Sequence, residues 1–328
     1  MQAPYFWLTD VLTQWQRLYI NQRLHHALLL IGAKGNGRNV ALHQFAKLLL
    51  CEHPQEAEPC QHCHSCELFD AKTHPDLYIL QSEQPGKPIG IDAVRATNEF
   101  AWKTSSVGRQ RVIMIKSAEN MTEGAANALL KTLEEPPENC QFLLYADAVD
   151  RLLPTIISRC SKWYLSPPPE KEVLDWLSKQ LSPAQQPHLS IDILRLNAGA
   201  PLATLAFIQE EQYEKLADLF QSFWYFIQQE GLADFTEFAR LCEQSFPQSL
   251  HWLSCLLADI LKYKQGAQAF LMFQHYEKQL HFYAQHLDQN LVFQQYKALN
   301  LLLRNFTEQT GLNKNLLLGQ WLLSFFPE

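Results

Sequence analysis

LLLIGAKGNGRN, residues 28–39, is the stretch on which the fold turns. Its first four residues, Leu28 to Ile31, are too few and too evenly apolar for a surface helix, and they predict a strand buried on both faces. The remainder, Gly32 to Asn39, has the outline of a phosphate-binding loop, G-x-x-x-x-G-K-[ST], whose backbone N–H groups wrap phosphate, whose lysine reaches the terminal phosphates and whose hydroxyl holds magnesium. Gly32 and Gly37 occupy the two glycine positions, with Gly35 between them. NVALHQFAKLLLC, residues 39–51, then has apolar residues near helical spacing. Strand, glycine loop and helix in that order predict a fold descended from phosphate binders. The ending is wrong for catalysis. Arg38 stands at the lysine position, and its planar fork does not replace a compact ammonium in a tight loop. Asn39 lacks the hydroxyl and offers only an amide oxygen, a weak replacement.

Hydrolysis of ATP also needs an acidic pair at the end of a neighbouring strand. After the apolar run VIMI, 112–115, the chain reads Lys116-Ser117, a cation where magnesium would be managed. Glu119 lies nearby, but beyond the strand end its carboxylate is expected to point elsewhere. DLYIL (76–80), FLLYA (142–146) and KWYL (162–165) read as further strands, separated by helical stretches such as IDAVRATNEFAW. Thr122 is placed to cap a helix whose stripe is Ala126, Leu129, Leu130 and Leu133, stopped by Pro136 and Pro137. The alternation predicts an α/β domain over 1–165, a parallel five-stranded sheet with helices on both faces.

SPPPE, 166–170, reads as a stiff linker, and no convincing strand lies beyond it. Residues 166–206 suit a small helical domain and 207–328 a longer-helix domain. NLLLGQWLLSFF, 315–326, is apolar almost all round, so it is expected inside its domain or against another chain.

Four cysteines, Cys51, Cys60, Cys63 and Cys66, fall within sixteen residues as C-x8-C-x2-C-x2-C. Four soft ligands at that spacing match tetrahedral zinc with no open position, hence a structural site at 51–66. His53, His62 and His64 are potential substitute ligands, read as solvated loop residues. Cys140, Cys160, Cys242 and Cys255 are scattered in apolar segments and read as small core residues. With 328 residues and 47% hydrophobic composition the chain can bury two or three domains. No apolar run approaches membrane-spanning length and no leader is evident, so a cytoplasmic protein with no membrane partner is expected. The formal net charge of -7 argues against a protein that coats nucleic acid unaided.

ANALLKTLEEPPE (126–138) followed by FLLYADAVDRLLPTIISRC (142–160) resembles the AAA+ subunits of bacterial clamp loaders, and HHALLLIGAKGNGR, the four-cysteine loop and the helical remainder extend the likeness over most of the chain. The resemblance implies an AAA+ nucleotide-binding fold, then a lid domain and a collar domain that joins five subunits. It implies a place in the DNA polymerase III holoenzyme, in a heteropentamer with delta and three copies of gamma or tau, which loads the sliding clamp onto primer-template DNA. THPDLYIL, IGIDAVR and the degraded loop point within that family to a non-hydrolysing stator with no functional ATP site. The position of the lid's sensor arginine falls on Leu202, and that of the first polar sensor on Ala146 or Asp147. Ser158-Arg159-Cys160 matches the family's S-R-C motif, which implies that Arg159 serves in trans as an arginine finger at a neighbour's ATP site. Three other readings stay open on the residues: an active ATPase resembling gamma, a subunit that holds nucleotide through Arg38 without cleaving it, and a zinc-dependent nucleic-acid-binding module.

Overall fold

Two compact units, 1–168 and 169–328, divide the chain at the proline linker. The structure, a computed structural model, describes residues 5–84, 87–107, 109–228, 232–308 and 313–326. In the first unit five strands, β1 (Ala27–Ile31), β2 (Leu77–Leu80), β3 (Arg111–Ile115), β4 (Cys140–Ala146) and β5 (Ser161–Tyr164), form one sheet in the order β2-β3-β4-β1-β5. All four pairings are parallel. Central strands are buried on both faces: every residue of β1 and β3 is buried, whereas the edge strand β5 alternates. That is why β1 and β3 read as unbroken apolar runs.

The strand period of two divides these side chains between two cores. Leu28, Leu30, Val112, Met114 and Leu143 face one way, into a cluster with Leu12 and Trp15 of α1 (Thr9–Ile20) and Leu42 and Phe45 of α2 (Arg38–Leu50). Leu29, Ile31, Ile113, Phe142 and Leu144 face the other way, toward Val94 of α4 (Ile91–Ala101) and Leu129 and Leu133 of α5 (Glu123–Glu134). The helices α3 (His64–Asp70) and α6 (Pro154–Ile157) are short. Thr122 caps α5 as expected, its side chain accepting from the Ala125 amide at 3.2 Å. The predicted architecture, a parallel five-stranded sheet covered by helices on both faces and followed by a helical region, is the observed one.

The second unit is all helical among the described residues, running from α7 (Glu170–Gln180), α8 (Ile191–Leu196) and α9 (Pro201–Gln209) through α10 (Gln212–Gln228), α11 (Leu232–Gln244), α12 (Gln248–Lys264), α13 (Glu277–His286) and α14 (Gln289–Glu308) to α15 (Lys314–Leu323). Val173, Leu177 and Leu194 form a small core of their own. Leu181, Ile193, Phe207 and Ile208 instead join the large core built by the longer helices around Phe223, Trp252 and Tyr283. Helices α8 and α9, and Leu181 at the C-cap of α7, thus share packing with the segment after 206. In the C-terminal stretch Leu318, Trp321, Leu322 and Phe325 are buried, and the Trp321 indole donates to the Gln295 carbonyl at 3.2 Å. Leu316 and Leu323, seven residues apart on one face of α15, are 67% and 63% exposed.

Candidate functional site: a closed glycine loop, a thiol cluster and a surface arginine

The glycine loop joins β1 to α2 at the C-terminal end of the sheet, the place where open α/β sheets bind ligands. Gly35 and Gly37 have φ of 90° and 83°, left-handed values that side chains resist, so both glycines are required by the turn. Gly32 is required by space: a Cβ there would stand 2.9 Å from the Leu165 carbonyl oxygen. The loop is also covered from outside, since the Trp7 indole donates to the Asn36 carbonyl at 3.0 Å and Leu8 lies against Gly37. Asn39, at the hydroxyl position, is exposed.

Arg38 does not extend toward solvent. It is 5% exposed, its stem passes over Gly32, and its Nη2 makes an ion pair with the Asp147 carboxylate just beyond β4. The guanidinium lies over the Tyr145 ring, 4.8 Å from the centroid. Asp147 is held in turn, its amide donating to Oε1 of Glu119 at 3.1 Å. The expectation that Glu119 points elsewhere is therefore corrected. Ser117 takes a left-handed conformation, φ 51°, and folds the turn Ala118–Asn120 back across the sheet end, which brings the Glu119 carboxylate beside Asp147. Burial raises the Glu119 carboxyl above its ordinary range, while N–H donation from its own backbone and from Asp147 opposes the rise. Burial also lowers the Lys116 ammonium from its ordinary value. Ala146 is fully buried. Leu202, half-buried in α9, belongs to the second unit.

Cys51, Cys60, Cys63 and Cys66 converge: their sulfurs all lie within 4.8 Å of one another, with Cys51 and Cys63 at 3.9 Å. Zinc–thiolate bonds of about 2.3 Å in a tetrahedron need sulfurs about 3.8 Å apart, so the four fit one ion. Amides stabilise the thiolates, Cys60 N–H donating to Cys51 Sγ and Cys63 N–H to Cys60 Sγ, both at 3.3 Å. The Cys60 thiol is lowered to about 7, chiefly by backbone N–H donation, whereas burial pushes the Cys66 thiol up. Neither His53, His62 nor His64 belongs to the cluster; the His62 ring contacts the Cys60 carbonyl at 2.6 Å. The module is tied down independently of any metal. The Ser65 hydroxyl donates to the Leu50 carbonyl at 2.6 Å and meets Nε2 of His74 at 2.6 Å. Cys140, Cys160 and Cys242 are buried core residues, and Cys255 is partly buried; burial pushes the Cys140, Cys160 and Cys255 thiols up to about 12.

Arg159 sits in the turn between α6 and β5. Its Nη1 donates to the Thr155 carbonyl at 2.9 Å, and its Nη2 pairs with Glu134 at the end of α5. The side chain is 30% exposed, so it is a surface group with an intramolecular partner. Ser158 donates to Thr155 O at 3.1 Å and Cys160 is buried, so both shape the turn.

A family model described as DNA polymerase III, delta subunit, matches residues 7–169, and one described as its C terminal region matches 210–326. DNA polymerase III subunit delta' of Escherichia coli (strain K12) is 38% identical over 263 residues, which is 80% of this chain and 78% of the relative. That of Yersinia pestis is 34% identical over 324 residues, 98% of this chain and 95% of the relative. The chain belongs to the DNA polymerase III delta prime family. A gamma subunit-related protein of Thermotoga maritima aligns with 96% of the chain and 98% of its own, at 19% identity and TM-score 0.44.

Within this delta prime family member, the structure joins Arg38 to Asp147 and the Tyr145 ring, with Glu119 behind Asp147, a grouping left scattered in the sequence. Position 147 entered only as one choice for a sensor, and Tyr145 only as a strand residue. Parallel pairing of β4 with β1, register Leu30 to Tyr145 and Ile31 to Ala146, carries Asp147 to the loop's mouth. The one available signal was an acid directly after the strand run FLLYA. Among the described residues no helix is long and apolar enough to cross a membrane.

Proposed function

We propose that this delta prime family member is a non-hydrolysing stator of the clamp loader in the DNA polymerase III holoenzyme, the assembly that places the sliding clamp on primed DNA. One observation carries the reading: the cation at the loop's lysine position is turned inward and paired with Asp147, while Lys116 and Ser117 replace the acidic pair. Such a loop has no free cation at the lysine position, and the acids beside it, Asp147 and Glu119, are engaged with Arg38 and with the Asp147 amide, so no ATP turnover of its own is expected. The engagement of Arg38 also speaks against nucleotide retention through that side chain. The thiol cluster is assigned structural zinc on its sulfur spacing. The helical region is assigned the lid (166–206) and collar (207–328) roles, and the exposed apolar face of α15 supports contact there with delta and with gamma or tau.

Arg159 is assigned the finger role. Its pairing with Glu134 leaves it partly exposed and oriented, and a triphosphate presented by a neighbouring gamma or tau subunit carries more charge than one carboxylate. The test is a reconstituted loader carrying Arg159→Ala. A lost finger lowers the rate at the site it serves by roughly 10³-fold or more. With three hydrolysing subunits in the ring, total DNA-stimulated hydrolysis is then expected to fall by at least about a third, with assembly intact. Unchanged hydrolysis would remove the finger role and leave the scaffold role standing.

A further inference from the structure

A loop built to hold phosphate, with its glycines in place and a buried guanidinium at its mouth, has a strong demand for an anion. We infer that the Asp147 carboxylate meets that demand as a built-in ligand, taking at Arg38 the place a phosphate oxygen would take and so keeping the loop closed to phosphate. This role of Asp147 is independent of the one proposed for Arg159, because it involves no second subunit.

Four observations carry it. Arg38 is 5% exposed and its stem folds across Gly32, so the guanidinium is held buried at the loop's mouth. Its Nη2 is spent on Asp147, but its Nη1 is buried with no hydrogen-bond partner, so one carboxylate leaves the fork half-used. The Asp147 side chain is 38% exposed, but its backbone is anchored by the amide's bond to Glu119, and the ring of Tyr145 lies under the guanidinium it serves. The loop itself holds its shape without a ligand, through the left-handed Gly35 and Gly37, the Leu165 carbonyl against Gly32 and the Trp7 bond to Asn36. Taking away the carboxylate would leave a preformed glycine loop and a buried, unpaired guanidinium. An ion in that position is strongly destabilised unless a counter-ion replaces the lost partner. Free pyrophosphate offers oxygens for both Nη1 and Nη2 and for the loop amides, as anions do at helix N-termini.

Removal of the built-in ligand should therefore create an anion site that the native chain keeps closed. Full-length protein is titrated calorimetrically with inorganic pyrophosphate, comparing the native chain, Asp147→Ala and Asp147→Ala/Arg38→Ala. Asp147→Ala is expected to bind at least about tenfold more tightly than the native chain, the worth of one charge-assisted hydrogen-bond difference. The double variant is expected to return to the native level. Native protein that already binds as tightly as Asp147→Ala overturns the inference, and so does a folded Asp147→Ala that binds no better. A double variant that keeps the gain also overturns it, because the gain would then come from lost surface charge and not from Arg38. Asp147→Asn, which keeps the side-chain volume, covers the case in which the alanine variant does not fold. A smaller gain in the same direction is expected of it, and no gain counts equally against the inference.

Discussion

Glu119 is a carboxylate held where charge is disfavoured, between the buried end of β3 and the Asp147 it supports. Its pKa in the fold lies above its ordinary value, chiefly through burial. For such an acid the stabilising contribution is present below the unfolded pKa and is lost as pH rises through the folded one. Glu119→Gln removes that loss and keeps an oxygen to accept from the Asp147 amide. The variant is therefore expected to melt at a higher temperature than the parent at neutral pH, with the gap closing as pH falls below the carboxylate range. Equal melting temperatures at neutral pH would show that the attraction of Arg38 offsets the burial. At this scale the sequence was half legible. Arg38, Lys116 and Ser117 announced a departure from the phosphate-loop motif, because the motif specifies residue types at fixed spacing. The direction in which Glu119 points was not legible, because it depends on one left-handed residue, Ser117, whose conformation no spacing rule encodes.

Helices and strands were the most readable elements. β1 and β3 declared themselves as apolar runs since both faces are buried, and α5 declared its start at Thr122 since the cap satisfies an otherwise unpaired amide. The thiol module was readable for a different reason: metal-ligand spacing is local and chemically specific. Protein purified without chelator is expected to carry stoichiometric zinc by atomic emission, and Cys63→Ala to carry almost none. Structural zinc is worth on the order of 10 kcal/mol to a small isolated finger. Here the module's ends are held by Ser65 to Leu50 and by His74, so its loss should open residues 52–62 to protease while the sheet survives. Full zinc occupancy in Cys63→Ala would mean that a histidine substitutes.

For the whole molecule, α15 divides its apolar residues between two destinations. Leu318, Trp321 and Leu322 complete the core of the helical unit, and Leu316 and Leu323 remain in solvent. Exposed positions contribute little to the stability of the isolated chain, typically within about 0.5 kcal/mol on substitution. The double change Leu316→Ser and Leu323→Ser is thus expected to leave thermal unfolding nearly unchanged while weakening incorporation into a reconstituted gamma/tau–delta assembly, read by size-exclusion chromatography. Normal incorporation would count against α15 as the proposed collar contact. The strand-and-helix order, the departures from the phosphate-loop residue types, the thiol quartet and the linker at 166–170 are all legible from the amino acids alone, because each is a local pattern whose physics acts within a few residues. The pairing of Arg38 with Asp147, that of Arg159 with Glu134 and the face of α15 that stays uncovered follow from the packed chain and from no local pattern. Those two pairings join positions 109 and 25 residues apart, and it is the parallel register of β1 with β4 and the packing of α5 beside the S-R-C turn that bring them together.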